Sequence, residues 1–488
     1  MRDPQPMPEP FPMRLAPARL PALALVLALA VPAAGAQQLS SDQRFAQEVY
    51  KELIEINTST MTSGTTVAAQ AMAKRFRDAG FPEADIFLGG ARDDKHNLVV
   101  RYHGKGGANG PKPLLLLAHL DVVEALKSDW SPDLDPFRFL ERDGYFYGRG
   151  TSDDKAMAAI FVANLIKFRR EGYVPDRDII LALTADEEGS PCGCNGVRWL
   201  IQNHRELVDA AYVVNEGGGG SLRDDKPFLN SIQATQKNSV NFTATAHNRG
   251  GHSSVPRPDN AIYQLSEAVA RFAKHQFPVH FNAVTRAFFT ETAKIESPEM
   301  GRAMNALLKD ENDAAAAAIV SRDPRYNSML RSTCVATGLT GGHAANALPQ
   351  TAEVRINCRI LPDAVPSEIR DGIVAALGDT AIEVSRAGPR NFVAPSALMP
   401  EIMQPVQMVT KELFGPIPVI PTMSTGATDS QPFRQIGIPA YGVSGLMGDP
   451  DDIRAHGRDE RMKVKSFFDG QEFLLRLTRL LAMGKPVT

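Results

Sequence analysis

Three things are scarce in this sequence, and each scarcity excludes a class of protein. Four cysteines among 488 residues are too few for a disulfide-stabilised scaffold. Basic and acidic residues nearly balance, with a net charge of −3, which argues against a surface that binds nucleic acid. After the first 36 residues no apolar run is long enough for a membrane helix. We therefore expect a mature chain that is soluble and contacts neither nucleic acid nor membrane.

The N-terminus has the pattern of a secretory signal peptide. Arg14 and Arg19 precede an apolar run from Leu20 to Val31, and small residues follow up to Ala36. A basic start, a short apolar middle and a small-residue end are typical of a leader that is removed. The alternative is an uncleaved anchor, for which the run is short. We predict cleavage near Ala36 and a periplasmic or secreted mature protein.

Residues 37–231 have the pattern of an α/β fold. Apolar residues at helical spacing alternate with short runs of strand type, which predicts a largely buried, mostly parallel central sheet. The predicted helices are 45–56, 67–79 and 156–168, and the predicted strands are 97–102, 114–118, 179–184 and 211–214.

The pattern changes near residue 232. Strands and helices then follow in the order β-α-β-β-α-β, which predicts a smaller α+β domain. A long insertion at about 278–330 separates its first helix from its second strand, and α/β character resumes after about 395. We therefore predict a catalytic domain, 37–231 with 396–488, that is interrupted by a lid domain, 232–395.

Five short segments carry metal-binding or acid–base residues, most of them just after strand-like runs. In α/β sheets, ligands gather at the carboxyl ends of the strands. Two histidines and several carboxylates together form the ligand set of a two-metal hydrolase. The segments are 114–121, 148–155, 183–189, 213–218 and 455–461.

The first two segments contain one histidine and two aspartates of interest. His119 and Asp121 are two apart, so on an extended segment they face the same way, and Asp121 can orient the imidazole while its other nitrogen binds metal. Asp153 precedes a predicted helix, and its two oxygens can bridge two metal ions. A solvated loop and an ordinary helix N-cap are the structural alternatives.

The remaining segments complete a donor set for two ions. Glu187 and Glu188 would repel each other unless one bound metal and the other accepted a proton. Mixed imidazole and carboxylate ligation favours two Zn²⁺ ions, with Co²⁺ or Mn²⁺ able to substitute. We predict that one ion is held by His119, Asp153 and Glu216, and the other by Asp153, Glu188 and His456.

Taken in order and spacing, these segments resemble the M20 family of metallopeptidases, which includes glutamate carboxypeptidase, aminoacylase-1 and succinyl-diaminopimelate desuccinylase. The resemblance covers nearly the whole mature chain, including the lid layout. It implies that Glu187 is the general base and that a cis peptide bond follows Asp153. It implies the same metal ligands that we predicted above from the residue types, namely His119, Asp153, Glu188, Glu216 and His456.

The resemblance also assigns residues of the predicted lid. His252 is similar to a histidine that stabilises the oxyanion in a partner subunit's active site, which implies a homodimer through the lid. A monomer completed by the insertion is the alternative. Asn346 and Arg359 are similar to groups that grip the substrate carboxylate, and an arginine fork suits a carboxylate. The loop 426–429 resembles a glycine-rich loop that borders the site.

The implied reaction is hydrolysis of an amide bond next to a free carboxylate, in a small peptide or an N-acyl amino acid. Glu rather than Asp at position 216, together with the insertion, looks most like the branch of yeast carboxypeptidase S and the N-fatty-acyl-amino-acid hydrolases. An aminopeptidase or dipeptidase that requires a free amine is the alternative within the family. A non-catalytic binding protein is the alternative outside enzymes.

The four cysteines give two separate expectations. Cys334 and Cys358 fall on predicted lid strands, and we hypothesise that they form a disulfide. Cys192 and Cys194 lie close to the glutamate pair, where we expect a structural role rather than metal ligation.

Overall fold

A computed structural model describes residues 38–387 and 393–483 of the chain, so the predicted signal peptide lies outside the described residues. The strands are β1 Ile86–Gly90, β2 His96–Tyr102, β3 Leu114–His119, β4 Leu140–Arg142, β5 Tyr145–Tyr147, β6 Ile179–Thr184, β7 Tyr212–Asn215, β8 Gly220–Arg223, β9 Lys226–Gln236, β10 Asn238–His247, β11 Gly251–His252, β12 Thr333–Gly341, β13 Ala347–Leu348, β14 Thr351–Ile360, β15 Glu383–Ala387, β16 Val419–Ser424, β17 Ala440–Gly442, β18 Met447–Gly448 and β19 Arg461–Lys463.

The helices begin and end close to the predicted positions where the sequence pattern is strong. They are α1 Ser41–Glu55, α2 Thr66–Asp78, α3 Lys155–Glu171, α4 Gly196–Asn203, α5 Arg205–Val208, α6 Ala261–Phe272, α7 Ala283–Thr292, α8 Pro298–Lys309, α9 Ala314–Val320, α10 Pro324–Leu330, α11 Pro366–Leu377, α12 Pro400–Phe414, α13 Ser430–Gln435 and α14 Val464–Leu481. Within the described ranges, none of the helices combines the length and apolarity that crossing a membrane requires.

The central sheet is mixed, with a run of parallel pairings in its middle. Its strand order is β1-β2-β6-β3-β7-β17-β9-β8-β18, and β16 pairs with β9. The run β6-β3-β7-β17 is parallel, whereas β1, β2 and the contacts of β9 with β8 and β17 are antiparallel. The predicted α/β class is confirmed, and the parallel strands are the ones that lead into the site.

Burial explains why the central strands read as unbroken apolar runs. Every residue of β3 is buried, from Leu114 to His119, because helices cover both faces of the sheet. Helix α3 lies between the sheet, α1 and α14, so it is apolar nearly all round. It ends at Gly172, whose positive φ of 65° gives the left-handed C-terminal turn.

The predicted β-α-β-β-α-β segment forms a second sheet of order β12-β14-β10-β15, antiparallel throughout. Residues of β10 alternate between buried and accessible, because α6 packs on only one face of this sheet. The chain enters it directly from β9 through Lys237. The division into catalytic and lid domains remains a prediction.

The insertion folds as four short helices, α7 to α10, for which the sequence indicated no structure beyond an alanine run. They enclose a small apolar core that includes Phe289, Met304 and Leu330. The same cluster contains Met423 of β16, and α7 packs on β16. The insertion is therefore seated against the central sheet.

Candidate metal centre

The predicted ligands come together at the carboxyl ends of the central parallel strands. His119 is the last residue of β3, and Glu216 directly follows β7. Glu187 and Glu188 come shortly after the end of β6. The strands of a parallel sheet deliver their ends to one edge, which is why segments far apart in sequence meet here.

Asp153 lies between the two histidines. Its Oδ1 is 2.9 Å from His119 Nε2, and its Oδ2 is 3.1 Å from His456 Nε2. The remaining ring contacts are His456 Nε2 to Glu188 Oε1 at 2.8 Å and His119 Nε2 to Glu216 Oε2 at 3.8 Å. The peptide bond after Asp153 is cis, as the resemblance implied. One oxygen of Asp153 faces each half of the predicted donor set.

The side chain of Asp121 does not hold the imidazole of His119, as the sequence predicted, but contacts other groups. The ring Nδ1 of His119 lies 2.9 Å from the main-chain oxygen of Asp121, and the nearer carboxylate oxygen is 3.8 Å away. That carboxylate instead accepts the backbone N–H groups of Glu187 and Glu188, at 3.2 and 3.0 Å. Burial raises the pKa of Asp121 to about 6. Asp121 therefore orients the ring with its main chain and the glutamate pair with its side chain.

The carboxylates around His119 and His456 raise the pKa of both imidazoles. Burial lowers the pKa of His119, but its hydrogen bonds with Asp153 and Glu216 outweigh this, and the pKa lies well above the usual value. Hydrogen bonds to Asp153 and Glu188 raise the pKa of His456 to about 10. The site therefore strongly favours positive charge on both imidazole rings.

The carboxylates of the site differ in their affinity for protons. Burial acts to raise the pKa of Asp153, but hydrogen bonds from His119 and His456 lower it well below its usual range. Burial and the neighbouring Glu216 raise the pKa of Glu187 well above the ordinary glutamate value. Asp153 thus remains an anion, whereas Glu187 readily takes a proton.

Glu460 is a positioning residue that the sequence reasoning missed, although it lies in the segment 455–461. The residue is 0% exposed. Its Oε2 accepts from Arg149 Nη1 at 2.7 Å and from Gly150 N, and its Oε1 accepts from Ser152 and from Asp153 N. Glu460 therefore ties the loop that carries Asp153 to the segment that carries His456. An acid four residues from His456 was the only signal.

Asp429 is a second missed residue, in the loop predicted to border the site. It is buried, and its carboxylate accepts from Thr184 Oγ1 at 2.9 Å and from Asn195 Nδ2 at 2.7 Å. The neighbouring Thr428 donates to Gln236, at the passage from β9 to β10. The loop 426–429 thus connects the end of β6 with the start of the second sheet.

His252 and Asn346 share a two-stranded ribbon. His252 on β11 pairs with Ala347 on β13, and Ser253 N donates to Asn346 O at 3.0 Å. Ser254 N donates to His252 Nδ1, which leaves Nε2 of this exposed ring as the other functional atom. Over the ranges 38–387 and 393–483, no hydrogen bond or ion pair joins this ribbon to the carboxylate cluster.

Arg359 lies apart from that ribbon. It is on β14, where it pairs with Ser239 of β10 and Thr333 of β12. Its guanidinium is close enough to Lys237 to help lower the pKa of that amine. The structure therefore places this predicted carboxylate-binding group where the chain passes into the second sheet.

Both cysteine pairs are disulfides. Cys334 and Cys358 are directly opposite each other on β12 and β14 and are bonded, as hypothesised. Cys192 and Cys194 are bonded across one residue, in the loop after the glutamate pair. This disulfide agrees with the structural role expected of that pair, because its sulfurs are not thiolate ligands.

The donor set fits divalent metal ions. Ligand atoms of His119, Asp153 and Glu188 lie within 4.8 Å of one another, and so do those of His119, Glu187 and Glu216. Two imidazole nitrogens and several carboxylates suit Zn²⁺, Co²⁺ or Mn²⁺. The strong preference for positive charge at this cluster is what a cation would satisfy.

Comparisons with known proteins agree with this geometry. A sequence model of peptidase family M20/M25/M40 matches residues 115–480, more than half of the chain. The chain is 28% identical over 461 residues to the Homo sapiens N-fatty-acyl-amino acid synthase/hydrolase, covering 90% of this chain and 88% of that protein. It is 25% identical to the probable carboxypeptidase S-like 2 of Dictyostelium discoideum, covering 78% and 74%.

Solved structures share the fold. An M20 family metallo-carboxypeptidase from Sulfolobus solfataricus has a TM-score of 0.63 at 18% identity, covering 91% of this chain and 100% of that one. A dinuclear metal binding peptidase from Bacillus subtilis has a TM-score of 0.57 at 11% identity, covering 90% and 98%. At these identities the likeness establishes the architecture alone.

Proposed function

The chain belongs to peptidase family M20/M25/M40, and from this we propose that it hydrolyses an amide bond next to a free carboxylate, as a metallocarboxypeptidase or N-acyl-amino-acid amidohydrolase. Members of the family are metal-dependent hydrolases. The observation that carries the proposal is the position of Asp153 between His119 and His456, with Glu187 beside them. The names of two relatives, an N-fatty-acyl-amino acid synthase/hydrolase and a probable carboxypeptidase, support it.

The proposed cofactor is a pair of Zn²⁺ ions, with Co²⁺ or Mn²⁺ as substitutes. When bound, such ions supply a water of lowered pKa and polarise the scissile carbonyl. Asp153 would contribute one oxygen to each ion. The further ligands would be His119 and Glu216 on one side, and Glu188 and His456 on the other.

Glu187 is the proposed general base. Its raised pKa suits a group that takes a proton from the attacking water and then gives it to the leaving amine. Asp121 holds the backbone of Glu187 through a hydrogen bond to its N–H group, which limits the freedom of the carboxylate. Burial and the neighbouring Glu216 keep the pKa of Glu187 high.

The proposed substrate-binding groups come from the second sheet and its ribbon. Asn346 and Arg359 would hold the carboxylate, and His252 would donate to the oxyanion through Nε2. The ribbon's separation from the cluster supports a homodimer in which His252 serves the site of a second copy.

Export of the mature protein is a further part of the proposal. The basic and apolar pattern up to Ala36 supports a leader, and two disulfides agree with an oxidising compartment. The mature chain would then begin at Gln37, in the periplasm or outside the cell.

The test compares Glu187→Gln with its neighbour Glu188→Gln. We expect Glu187→Gln to keep both metal ions and to lose about 10³-fold or more in kcat, because only proton transfer is removed. Glu188→Gln should instead lose metal, since it changes a ligand. Metal content is measured by elemental analysis, and turnover on N-acyl amino acids and unblocked dipeptides.

Two results would contradict the proposal. Near-normal turnover of Glu187→Gln would remove the role given to this residue. Wild-type activity confined to substrates with a free amine would favour the aminopeptidase or dipeptidase alternative.

A further inference from the structure

The turn that leads into the proposed general base contains a buried ion pair. Asp186 directly precedes Glu187, and its Oδ1 lies 3.1 Å from Lys95 Nζ. The side chains of Lys95 and Asp186 are only 3% and 1% exposed, so water screens their attraction little. No step of the proposed hydrolysis uses either charge. Their place beside Glu187 therefore needs an explanation of its own.

The backbone of Asp186 adopts a conformation that needs support. Its φ of 63° lies in the left-handed region, which aspartate enters more readily than most residues but at a cost in free energy. Both carboxylate oxygens are held, since Oδ1 accepts from Lys95 and Oδ2 accepts from Ser190 Oγ at 2.8 Å. The main-chain oxygen of Asp186 accepts from Asn195 Nδ2 at 3.3 Å. Three hydrogen bonds therefore fix this turn.

Lys95 connects the turn with a separate segment of the site. Its ammonium also donates to the main-chain oxygen of Thr60 at 2.8 Å. The N–H of Thr60 donates in turn to Val122 O at 3.1 Å. Val122 directly follows Asp121, whose carboxylate accepts the N–H of Glu187. Lys95 and Asp121 thus belong to one network of hydrogen bonds around Glu187.

The strands beneath the turn bring the two charges together. Lys95 directly precedes β2, and Asp186 comes shortly after the end of β6, its antiparallel neighbour. Asn97 of β2 is completely buried, and its Oδ1 accepts from Ala185 N at 3.0 Å. The register of β2 against β6 therefore sets the position of Lys95 relative to the turn.

We propose that Lys95 and Asp186 are positioning residues, which together hold the Glu187 carboxylate in the orientation that proton transfer requires. This inference rests on the proposed hydrolase function, in which Glu187 is the general base. A general base must lie within hydrogen-bond reach of the proton that it takes, and a misplacement of about 1 Å can cost about 100-fold in rate. The pair acts through Glu187 and leaves the binding of substrate and metal to other residues.

The test removes the ion pair without leaving a buried charge. In the double variant Lys95→Met/Asp186→Asn neither side chain is charged, and asparagine tolerates the left-handed φ as aspartate does. A change of Lys95 alone would instead leave an uncompensated carboxylate in the interior. Turnover is measured with the full-length mature enzyme at saturating Zn²⁺, on the best substrate among N-acyl amino acids and unblocked dipeptides.

A matched control is available on the same two strands. Arg101 of β2 and Asp178, directly before β6, form an ion pair at 2.9 Å at the other end of these strands. The control variant Arg101→Met/Asp178→Asn therefore removes an ion pair between the same elements, far from Glu187. We expect its kcat to stay within twofold of the wild-type value.

The changes at Lys95 and Asp186 should lower turnover and leave substrate binding intact. We expect the double variant to lose at least tenfold in kcat, with KM within twofold and the metal content of the wild type by elemental analysis. Asp186→Asn alone keeps an acceptor for Lys95, so its kcat should lie within threefold of wild type. An unchanged kcat in the double variant would overturn the proposal.

A second comparison distinguishes positioning from a general loss of structure. The double change is added to Glu187→Gln, and the residual turnover is measured with enzyme in excess over substrate. Residues that act as a unit have non-additive effects, so the added change should lower the residual kcat by less than twofold. A fall of tenfold in both backgrounds would indicate a structural role and contradict the proposal.

Hydrogen exchange measured by mass spectrometry gives a readout that needs no turnover. In the double variant the amides of residues 185–190 should exchange at least tenfold faster than in wild type, and those of β3 should not change. If no substrate is hydrolysed, the proposed function fails, and exchange decides the positioning role: faster exchange at 185–190 supports it, and unchanged exchange overturns it. If the double variant does not fold, Asp186→Gly, which keeps the left-handed φ accessible, is judged by the same criteria.

Discussion

Replacing Glu460 by glutamine should destabilise the protein and loosen its metal centre together. Both carboxylate oxygens of Glu460 accept more than one hydrogen bond, from Arg149 and Gly150 on one side and from Ser152 and Asp153 on the other. An amide has only one acceptor oxygen, so its NH₂ group would face N–H or O–H donors at either site. At least two buried donors would lose their partner.

The size of the effect follows from burial. Arg149 and Glu460 are both almost completely buried, and Nη1 to Oε2 is 2.7 Å. Removing one partner of a buried ion pair costs about 3–5 kcal/mol, because the other charge remains uncompensated. We expect Glu460→Gln to lower the free energy of unfolding by about 3–5 kcal/mol. Since Glu460 also holds the N–H of Asp153, metal affinity should fall about 10- to 100-fold.

The assay is urea unfolding of the chelated protein, followed by competitive titration of Zn²⁺ into the folded protein. Glu412→Gln is the control, since Glu412 pairs with Arg476 at 3.2 Å on the surface, where an ion pair contributes below about 1 kcal/mol. A loss below about 1 kcal/mol for Glu460→Gln, with unchanged Zn²⁺ affinity, would refute the reasoning.

Three further predictions concern other parts of the chain. Burial and two neighbouring arginines lower the pKa of Lys237 to about 7, so from pH 7 towards the ordinary 10.5 the unfolded chain binds more protons and stability rises with pH. Lys237→Met should therefore gain most over wild type near pH 6 and least near pH 10 in urea unfolding, and a constant difference would contradict this. Co-expressed inactive variants His252→Ala and Glu187→Gln should regain about a quarter of wild-type turnover if the site is shared between copies, whereas none would indicate a self-contained subunit. N-terminal sequencing of the exported protein should begin near Gln37, and an intact leader would indicate an anchor.

Much of the fold follows from local patterns in the sequence. The unbroken apolar run at 114–118 identified a strand buried on both faces, and the alternation from Val240 to Ala246 identified one with a single covered face. Both signals are strong because the spacing of apolar residues along a strand directly reflects which faces of that strand are buried. The insertion gave no such signal: its helices are short, and their packing against β16 is a long-range contact.

The candidate site was predictable in its residue types and less so in its contacts. His119 was identified because it follows a strand-like run, and Asp153 because it follows a glycine turn. His456 lies in a polar stretch and was identified because a second metal ion needs a nitrogen ligand. The function of Glu460 was not, since a lone acid near a histidine is common on protein surfaces. The Asp121 side chain was expected on the imidazole, but a register set by β3 and β6 directs it to the glutamate backbone instead.

The sequence by itself determined the ligand types, their place at strand ends and the family to which the chain belongs. Spacing along a strand decides which residues emerge together, so these features need only local information. The tertiary structure alone decided that Asp153 lies between His119 and His456, and that a buried ion pair lies beside the glutamate pair. Residues about 300 positions apart meet only when the order and register of the strands are set, because no local interaction specifies that contact.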